Sequence, residues 1–335
     1  MTDFDLLTAT GPPPESYART EPPERSPFRI GAVQLAWNPD AAAHEAALAE
    51  GVRLAAGEGA QLVCLQELTL SPYFAITPDA LAEASERAEA IPDGPTTQLA
   101  ARLAAATGAH VHASLYERHD QDPDGLGYNT AICIAPSGEV IARTRKIHIP
   151  VTTGYYEDKY FRPGDTGYPV VGVGEARLGF PTCWDQWFPE LARAYSLGGA
   201  DVIVYPTAIG SEPDHPHFDT EPLWEKVIVG NGIANGTFMV AVNRIGEEGP
   251  GGAGGRVAGA LDGGLDAGGG APSAIRFYGS SFISDPYGRK LVQATRDRPA
   301  VLVADLDLDQ RRDWLALFPF LTTRRPETYA PLAES

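Results

Sequence analysis

Residues 179–190, GFPTCWDQWFPE, place Cys183 between an apolar run and an aromatic, acidic turn. The apolar run predicts a strand that ends at Cys183, and the next residues predict a turn and then a helix over about residues 188–198 that ends at a glycine pair. A thiol at the end of a strand and before a helix lies where backbone N–H groups and the helix dipole favour its thiolate form. Position alone leaves open whether Cys183 is a packed core residue, a redox-active thiol or a nucleophile.

The other cysteines, Cys64 and Cys133, lie in the apolar runs LVCL and AICIA. Such runs are typical of buried strands, where a thiol behaves as a small hydrophobic group. The three cysteines form no CxxC pair and no spacing with histidine that suits zinc. The sequence therefore favours neither a disulfide framework nor a metal site, and we expect a reducing, cytoplasmic location.

The net charge of the chain limits the classes of molecule that it is expected to bind. The 44 acidic and 26 basic side chains give a formal net charge of −18. This charge repels phosphate backbones and anionic membrane surfaces, so we expect neither nucleic acid nor a membrane as a partner. The first residues lack the basic and apolar segments of a signal peptide, and no stretch reaches the roughly 20 apolar residues of a membrane span.

Strand-like and helix-like segments alternate along the chain, which predicts an α/β fold with mixed β-sheets covered by helices on their outer faces. We expect strands at 28–35, 60–67, 109–116, 128–135, 139–148, 201–206, 237–244, 276–284, 289–294 and 300–306, besides the run that ends at Cys183. The helices are expected at 40–57, 78–89, 95–107, 188–198 and 221–235.

We expect a single domain over residues 27–325, with flanking and inserted segments outside its core. Residues 1–26 are rich in Pro, Glu and Ser and predict an extended arm, and residues 326–335 form a C-terminal tail. The glycine-rich segment 246–274 predicts a mobile loop insertion, because it contains too little apolar surface to offset its ordering entropy. The aromatic and aliphatic residues after the last strand are expected to pack on the domain or on a second subunit.

Two charged residues occupy positions comparable to that of Cys183. Glu67 ends the strand-like run AQLVCLQE, and Lys146 lies at the end of the strand-like run before His148. His148 is the usual type of base for a cysteine nucleophile. In open α/β folds, however, sites assemble at the carboxyl ends of strands, so Glu67, Lys146 and Cys183 could meet there without any histidine. A strand-end cap for Glu67 and a solvent-exposed position for Lys146 are the structural alternatives.

Three segments resemble the signature regions of the nitrilase, or carbon–nitrogen hydrolase, superfamily over about residues 28–325: LQELTLSPYF, RKIHIPVTTGYYEDKYFRPGDTG and CWDQWFPELARAYSLGGADVIVYPTAIGSEP. The resemblance implies that Glu67 is the general base, Lys146 the cation that stabilises the oxyanion, and Cys183 the nucleophile. It also implies that the Trp184 backbone N–H is a second oxyanion donor and that Glu157 orients the substrate or the lysine. It implies a four-layer αββα sandwich, a homodimer or higher homo-oligomer, and chemistry without a metal or organic cofactor.

Within the superfamily, CWDQWFPE and YPTAIGSEP resemble the branch of the N-carbamoylputrescine amidases and β-ureidopropionases. Relatives that hydrolyse N-carbamoyl amino acids carry arginines where this chain has Gln186 and Trp187, so the resemblance favours an amine-bearing or neutral substrate tail. The further candidates for oxyanion or substrate contact are His148, Asp185, Gln186, Tyr73 and Thr207. The carboxylates that could meet an ammonium group are Glu212, Asp214, Asp219 and Glu221.

The resemblance implies hydrolysis of an N-carbamoyl (ureido) amine through a cysteine thioester, with release of ammonia and carbon dioxide. The alternatives are a β-ureidopropionase, an aliphatic amidase, a nitrilase, or a catalytically silent interaction module of the same fold. Pro181 departs from the pattern of the family, because it has no N–H to donate two residues before Cys183.

Overall fold

The computed structural model describes residues 2–119, 124–250 and 274–333. The strands within these residues are β1 (Asp5–Ala9), β2 (Phe28–Gln34), β3 (Leu62–Cys64), β4 (His110–Glu117), β5 (Tyr128–Ile134), β6 (Val140–Arg145), β7 (Val170–Val173), β8 (Ala176–Gly179), β9 (Val202–Pro206), β10 (Phe238–Val242), β11 (Glu247–Glu248), β12 (Ile275–Arg276), β13 (Phe282–Ser284), β14 (Lys290–Gln293) and β15 (Ala300–Leu306). The helices are α1 (Ala41–Gly57), α2 (Leu81–Ser85), α3 (Pro95–Thr107), α4 (Pro189–Leu197), α5 (Glu221–Asn235), α6 (Asp309–Leu317) and α7 (Ala330–Ala333).

Two mixed β-sheets form the centre of the fold. The first has seven strands in the order β1-β15-β2-β3-β4-β5-β6, and the second has six in the order β14-β13-β10-β9-β8-β7. Apolar side chains from both sheets, such as Ile30 and Val204, pack together between them. A second apolar cluster packs α1 and α3 on the outer face of the first sheet, and a third packs α4 and α5 on the second. The expected four-layer αββα sandwich is therefore confirmed.

Local sequence explains where the outer helices begin and end. The Asp40 side chain accepts a hydrogen bond from Ala43 N at 3.1 Å, which satisfies one of the free N–H groups at the start of α1. Pro95 occupies the first turn of α3, where its missing N–H costs no helical hydrogen bond. α5 stops at Gly236, whose φ of 64° is the left-handed conformation that glycine adopts without strain.

Within each sheet, strand direction brings the carboxyl ends of several strands to the same edge. In the first sheet β2, β3 and β4 are mutually parallel, and β6 has the same direction because two antiparallel pairings separate it from β4. In the second sheet β8, β9 and β10 are parallel. The segments that follow β3, β6 and β8 contain Glu67, Lys146 and Cys183, respectively. Each of the three residues therefore lies just beyond the carboxyl end of a strand.

The segment 1–26, expected to be an extended arm outside the core of the domain, contains the strand β1. β1 pairs in parallel with β15, from Asp5 opposite Ala300 to Ala9 opposite Ala304, and extends the first sheet by one edge strand. The arm is also fastened at Arg25, which binds Asp201 and Asp309 at 3.0 and 2.8 Å. Five residues of alternating exposure suffice for an edge strand, and the Pro- and Glu-rich composition around them obscures so short a signal.

Several other helices and strands differ from the prediction in their bounds or were not predicted. The predicted helix 78–89 is only α2, the predicted strand 276–284 is divided into β12 and β13, and β7 and α6 were not predicted. β11 lies inside the predicted insertion 246–274, at its start, and pairs with β12 directly after it. Residues 251–273 of the insertion lie outside the described residues. Among the described helices, none combines the length and the apolar character needed to cross a bilayer.

The strand that leads to Cys183 depends on close packing at Gly179. A Cβ at this position would lie 2.3 Å from Cδ1 of the fully buried Tyr195, whereas a Cβ at Gly172, on the neighbouring β7, would meet no atom within 4 Å. We predict that Gly179→Ala lowers the free energy of unfolding by about 1–3 kcal/mol, because the ring has no space to move. Gly172→Ala, the control, should change it by less than about 0.5 kcal/mol. Urea unfolding followed by circular dichroism measures both, and equal effects would contradict this packing.

Candidate active site

Glu67 and Lys146 form a buried ion pair. Both side chains are completely buried, and Lys146 Nζ lies 3.1 Å from Glu67 Oε1. Asn129 Nδ2 donates a second hydrogen bond to the same oxygen at 2.7 Å. Glu67 Oε2 is buried without a hydrogen-bond partner among the described residues. One carboxylate oxygen is thus fixed, and the other is left available to accept a proton.

Glu157 is the second carboxylate that binds Lys146. Its Oε2 accepts a hydrogen bond from Lys146 Nζ at 2.6 Å, and its Oε1 accepts one from the Tyr73 hydroxyl at 2.9 Å. Burial lowers the pKa of Lys146, but the charges of Glu157 and Glu67 outweigh burial and raise it. Lys146 therefore carries a positive charge at all relevant pH values.

Cys183 begins a 3-10 turn, Cys183–Trp187, instead of ending a strand. β8 ends at Gly179, so Pro181 lies beyond the sheet and its missing N–H costs no ladder hydrogen bond. Cys183 has a φ of 41°, a left-handed conformation that is strained for a residue with a Cβ. Strained backbone of this kind persists only where the surrounding structure imposes it and clusters at functional sites.

The surroundings of Cys183 favour its protonated thiol. Burial raises its pKa well above the ordinary thiol value, and the charge of Glu67 raises it further. Lys146 and a hydrogen bond from the Ala208 backbone act in the opposite direction but do not compensate. Desolvation thus opposes the effect on the thiolate that was expected from the position of Cys183 before a helix. A nucleophilic Cys183 needs a base.

Cys183 opens into a cavity of about 260 Å³. The described residues that line it are Pro150, Thr152, Tyr155, Glu157, Cys183, Trp184, Trp187, Ile209, Glu212, Thr220 and Leu223. Trp184 thus lies at the cavity, and Tyr73 reaches the site through Glu157. Most of the wall is aromatic or aliphatic, as is usual for a small-molecule pocket.

The other candidates from the sequence make contacts that hold the site together. Asp185 accepts from His148 N at 2.9 Å and from Thr182 N at 3.1 Å, so one buried carboxylate joins the segment after Lys146 to the turn of Cys183. The His148 ring bonds to Asp185 and stacks on Phe188 at 3.5 Å. None of these side chains is among the described lining of the cavity.

Gln186 and Thr207 are also directed away from the cavity. The Gln186 side chain accepts a hydrogen bond from Trp224 Nε1 at 2.9 Å, which fastens the turn to α5. Thr207 donates through both its backbone N–H and its hydroxyl to the Val242 carbonyl oxygen. Substrate contact through either side chain is therefore not supported by the geometry.

Glu212 is the carboxylate that reaches the cavity from the loop after β9. Burial raises its pKa, while Thr220 and His215 act in the opposite direction. The remaining acidic residues of this region lie elsewhere: Asp214 is exposed, and Asp219 and Glu221 bind Arg296 at 2.9 and 2.6 Å.

Asn129 and Arg244 contact Glu67 but were not predicted. Asn129 lies inside the strand YNTAICI, and Arg244 lies two residues after the strand FMVAV, where a polar side chain interrupts an apolar run or follows its end. Such a residue must find a buried partner, and this is the signal that could have identified both.

Comparison with known proteins agrees with the fold. Residues 29–316 match the family model described as carbon-nitrogen hydrolase. The chain is 36% identical to the N-carbamoylputrescine amidase of Arabidopsis thaliana over 303 residues, which cover 90% of this chain and 94% of the relative. It is 35% identical to the citrullinase of Francisella tularensis over 306 residues, which cover 90% of this chain and 96% of that protein.

A solved structure shows the same architecture. The carbon-nitrogen hydrolase of Helicobacter pylori G27 superposes with a TM-score of 0.75 at 32% sequence identity, covering 92% of this chain and 99% of that one. The chain belongs to the carbon–nitrogen hydrolase family. It is therefore a hydrolase that acts on carbon–nitrogen bonds, and the expectation of an enzyme over a silent module is confirmed.

The charge of Glu157 should control the acid side of the pH profile. Burial and the charge of Glu67 raise the pKa of Glu157 to about 7, against the effect of Lys146. The carboxyl thus holds a proton below this pH and loses it above. We predict that log kcat/KM rises as the pH increases through about 7, because only charged Glu157 fixes Lys146.

Glu157→Gln should abolish this inflection and lower kcat about ten- to hundredfold, because Lys146 is no longer aligned. Initial rates of ammonia release over a pH series measure the effect. Asp158→Asn, which removes the adjacent and more exposed carboxylate, is the control and should keep the inflection. An unchanged inflection in Glu157→Gln would contradict this assignment.

Proposed function

We propose that the protein hydrolyses the C–N bond of an N-carbamoyl amine and releases ammonia, with Cys183 as the nucleophile. The arrangement that carries this proposal is a buried thiol at a cavity that Glu157 also lines. Glu157 and Glu67 both bind Lys146, and the charges of all three groups act on the thiol. The names of the two relatives above, N-carbamoylputrescine amidase and citrullinase, support a carbamoyl substrate.

In the proposed first step Glu67 Oε2 accepts the proton of Cys183, and the sulfur attacks the carbonyl carbon of the substrate. Lys146 Nζ and the Trp184 N–H stabilise the oxyanion, a contribution whose loss costs about a hundredfold or more in rate. The C–N bond to the terminal amino group breaks, and ammonia leaves with the proton that Glu67 returns. The product of this step is a thioester between Cys183 and the remaining carbamoyl group.

In the second step Glu67 accepts a proton from water, which attacks the same carbonyl carbon. The bond to sulfur breaks, the thiol regains its proton, and an N-substituted carbamic acid is released. The carbamic acid then dissociates into the amine and carbon dioxide. Neither of these two steps uses a metal or an organic cofactor.

The walls of the cavity favour a substrate whose tail ends in a cation. Trp184, Trp187 and Leu223 can contact a methylene chain, and Glu212 can bind an ammonium group at its end. The described lining contains no Lys or Arg, so a substrate carboxylate would be desolvated there without an opposite charge. The proposal therefore ranks N-carbamoylputrescine above N-carbamoyl-β-alanine, the substrate of a β-ureidopropionase.

The proposal includes a homo-oligomer in the cytoplasm. Apolar side chains at the ends of α4 and α6 are exposed, among them Leu197, Leu317 and Phe318. Exposed apolar groups of this kind support a contact between copies of the chain.

A panel of ureido amines, ureido acids, citrulline, aliphatic amides and nitriles, assayed for ammonia, tests the reaction. We predict the highest kcat/KM for N-carbamoylputrescine and no detectable turnover for Cys183→Ala, which should retain the fold. Cys133→Ala is the matched control, because that thiol is buried between the sheets. Near wild-type turnover by Cys183→Ala, or binding without turnover across the panel, would contradict the proposal.

Glu212 should determine the preference for a cationic tail. We predict that Glu212→Gln lowers kcat/KM for N-carbamoylputrescine about tenfold or more, because a charge-assisted hydrogen bond is lost. N-pentylurea, which replaces the terminal ammonium with a methyl group, should change by less than about twofold. Asp214→Asn on the same loop is the control. An equal loss for both substrates would mean that Glu212 supports the fold instead of selecting the tail.

A further inference from the structure

Arg244 is a completely buried arginine that is hydrogen-bonded to the main chain of Glu67 and of the residues after it. Its guanidinium donates to the main-chain carbonyl oxygens of Glu67, Leu68 and Ser71 at 2.9, 2.8 and 2.6 Å. It also pairs with Glu248, with 2.7 Å between Nη1 and Oε1. A fully buried cation is costly unless it is paired and hydrogen-bonded, and these contacts satisfy that requirement.

The three carbonyl groups belong to the loop that follows β3 and contains Glu67. Leu68 has a φ of 48°, so the residue next to Glu67 is in a left-handed conformation that leucine rarely adopts. A planar guanidinium can donate to several carbonyl oxygens at fixed angles, whereas the single nitrogen of a lysine cannot match this geometry. Arg244 therefore imposes a backbone conformation that the loop would not adopt alone.

A second branch of contacts extends from Arg244 to Lys146. Glu248 Oε2 accepts a hydrogen bond from Tyr73 N at 2.7 Å, and the Tyr73 hydroxyl donates to Glu157 Oε1 at 2.9 Å. Glu157 in turn binds Lys146 at 2.6 Å. The Arg244 guanidinium is thus bound directly to the main-chain oxygen of Glu67. It is connected to Lys146 through Glu248, Tyr73 and Glu157.

We propose that Arg244 is a positioning residue that sets the carboxylate of Glu67 against Cys183 and, through Glu248 and Tyr73, aligns Glu157 with Lys146. Arg244 contacts the main chain of Glu67 and the side chain of Glu248, so it acts through these groups and not on the substrate. The inference rests on the proposed function in one respect, namely that Glu67 accepts the proton of Cys183.

The alkylation of Cys183 by iodoacetamide tests this role without any assumption about the substrate. The rate is measured over a pH series and located by peptide mass spectrometry, for the wild type, Glu67→Gln, Arg244→Lys and Glu248→Gln. Arg311→Lys is the matched control. Its guanidinium also donates to backbone carbonyl oxygens, at the C-terminal ends of α4 and α5.

In the wild type we expect alkylation to proceed below the pKa of the thiol and to vary little with pH there, because Glu67 accepts the thiol proton during the attack. Arg244→Lys should lower this rate about tenfold or more and, like Glu67→Gln, should leave it rising with pH, because the base is misplaced. Glu248→Gln should show the same change to a smaller extent. In ammonia release, kcat of Arg244→Lys should fall while KM changes by less than about threefold.

Arg311→Lys should lower the unfolding midpoint without changing the alkylation profile. A folded Arg244→Lys protein with the wild-type profile would overturn the proposal, and so would an equal change in Arg311→Lys. If Arg244→Lys does not fold, a wild-type profile in Glu248→Gln overturns it. If the wild type hydrolyses no ureido substrate but the profile changes as expected, the proposed substrate fails and the role of Arg244 stands.

Discussion

The ammonium group of Lys146 lies between two buried carboxylates, 3.1 Å from Glu67 and 2.6 Å from Glu157, and the geometry of the site depends on this arrangement. A buried lysine alone would lose its proton, and two buried carboxylates alone would repel each other. Together they leave one lysine charge against two carboxylate charges beside a neutral thiol. In the proposed mechanism this excess negative charge makes Glu67 a base, while the lysine charge remains available for the oxyanion.

The positions of Glu67, Lys146 and Cys183 depend largely on hydrogen bonds that fix the backbone around them. Asn129 fixes one oxygen of Glu67, and Asp185 joins the segment after Lys146 to the turn of Cys183. Left-handed conformations at Leu68 and Cys183 lie next to or at the reacting groups. Both are places where the backbone stores strain that neighbouring hydrogen bonds must maintain. Arg244 supplies such bonds for Leu68.

Short-range patterns predicted the alternating strands and helices with mixed sheets, whereas the four-layer sandwich followed from the resemblance of three segments to the superfamily. Charged residues at the ends of apolar runs identified Glu67 and Lys146, and the parallel strands explain why they meet Cys183. Asn129 and Arg244 were missed because neither lies in a segment that resembles the signature regions, and their partner Glu67 is 62 and 177 residues away in the chain. Asp185 and Gln186 were expected at the substrate because they follow Cys183, but the 3-10 turn directs their side chains into the protein. β1 was missed because five residues carry too weak a signal within an arm of different composition.

Rapid mixing with a slow ureido substrate, followed by acid quench and peptide mass analysis, tests the central claim most directly. If Cys183 carries the reaction, its peptide gains the mass of the substrate less that of ammonia during turnover, and the peptides of Cys64 and Cys133 do not. An unmodified Cys183 under conditions where ammonia is released and the acyl group accumulates on another residue would contradict the account.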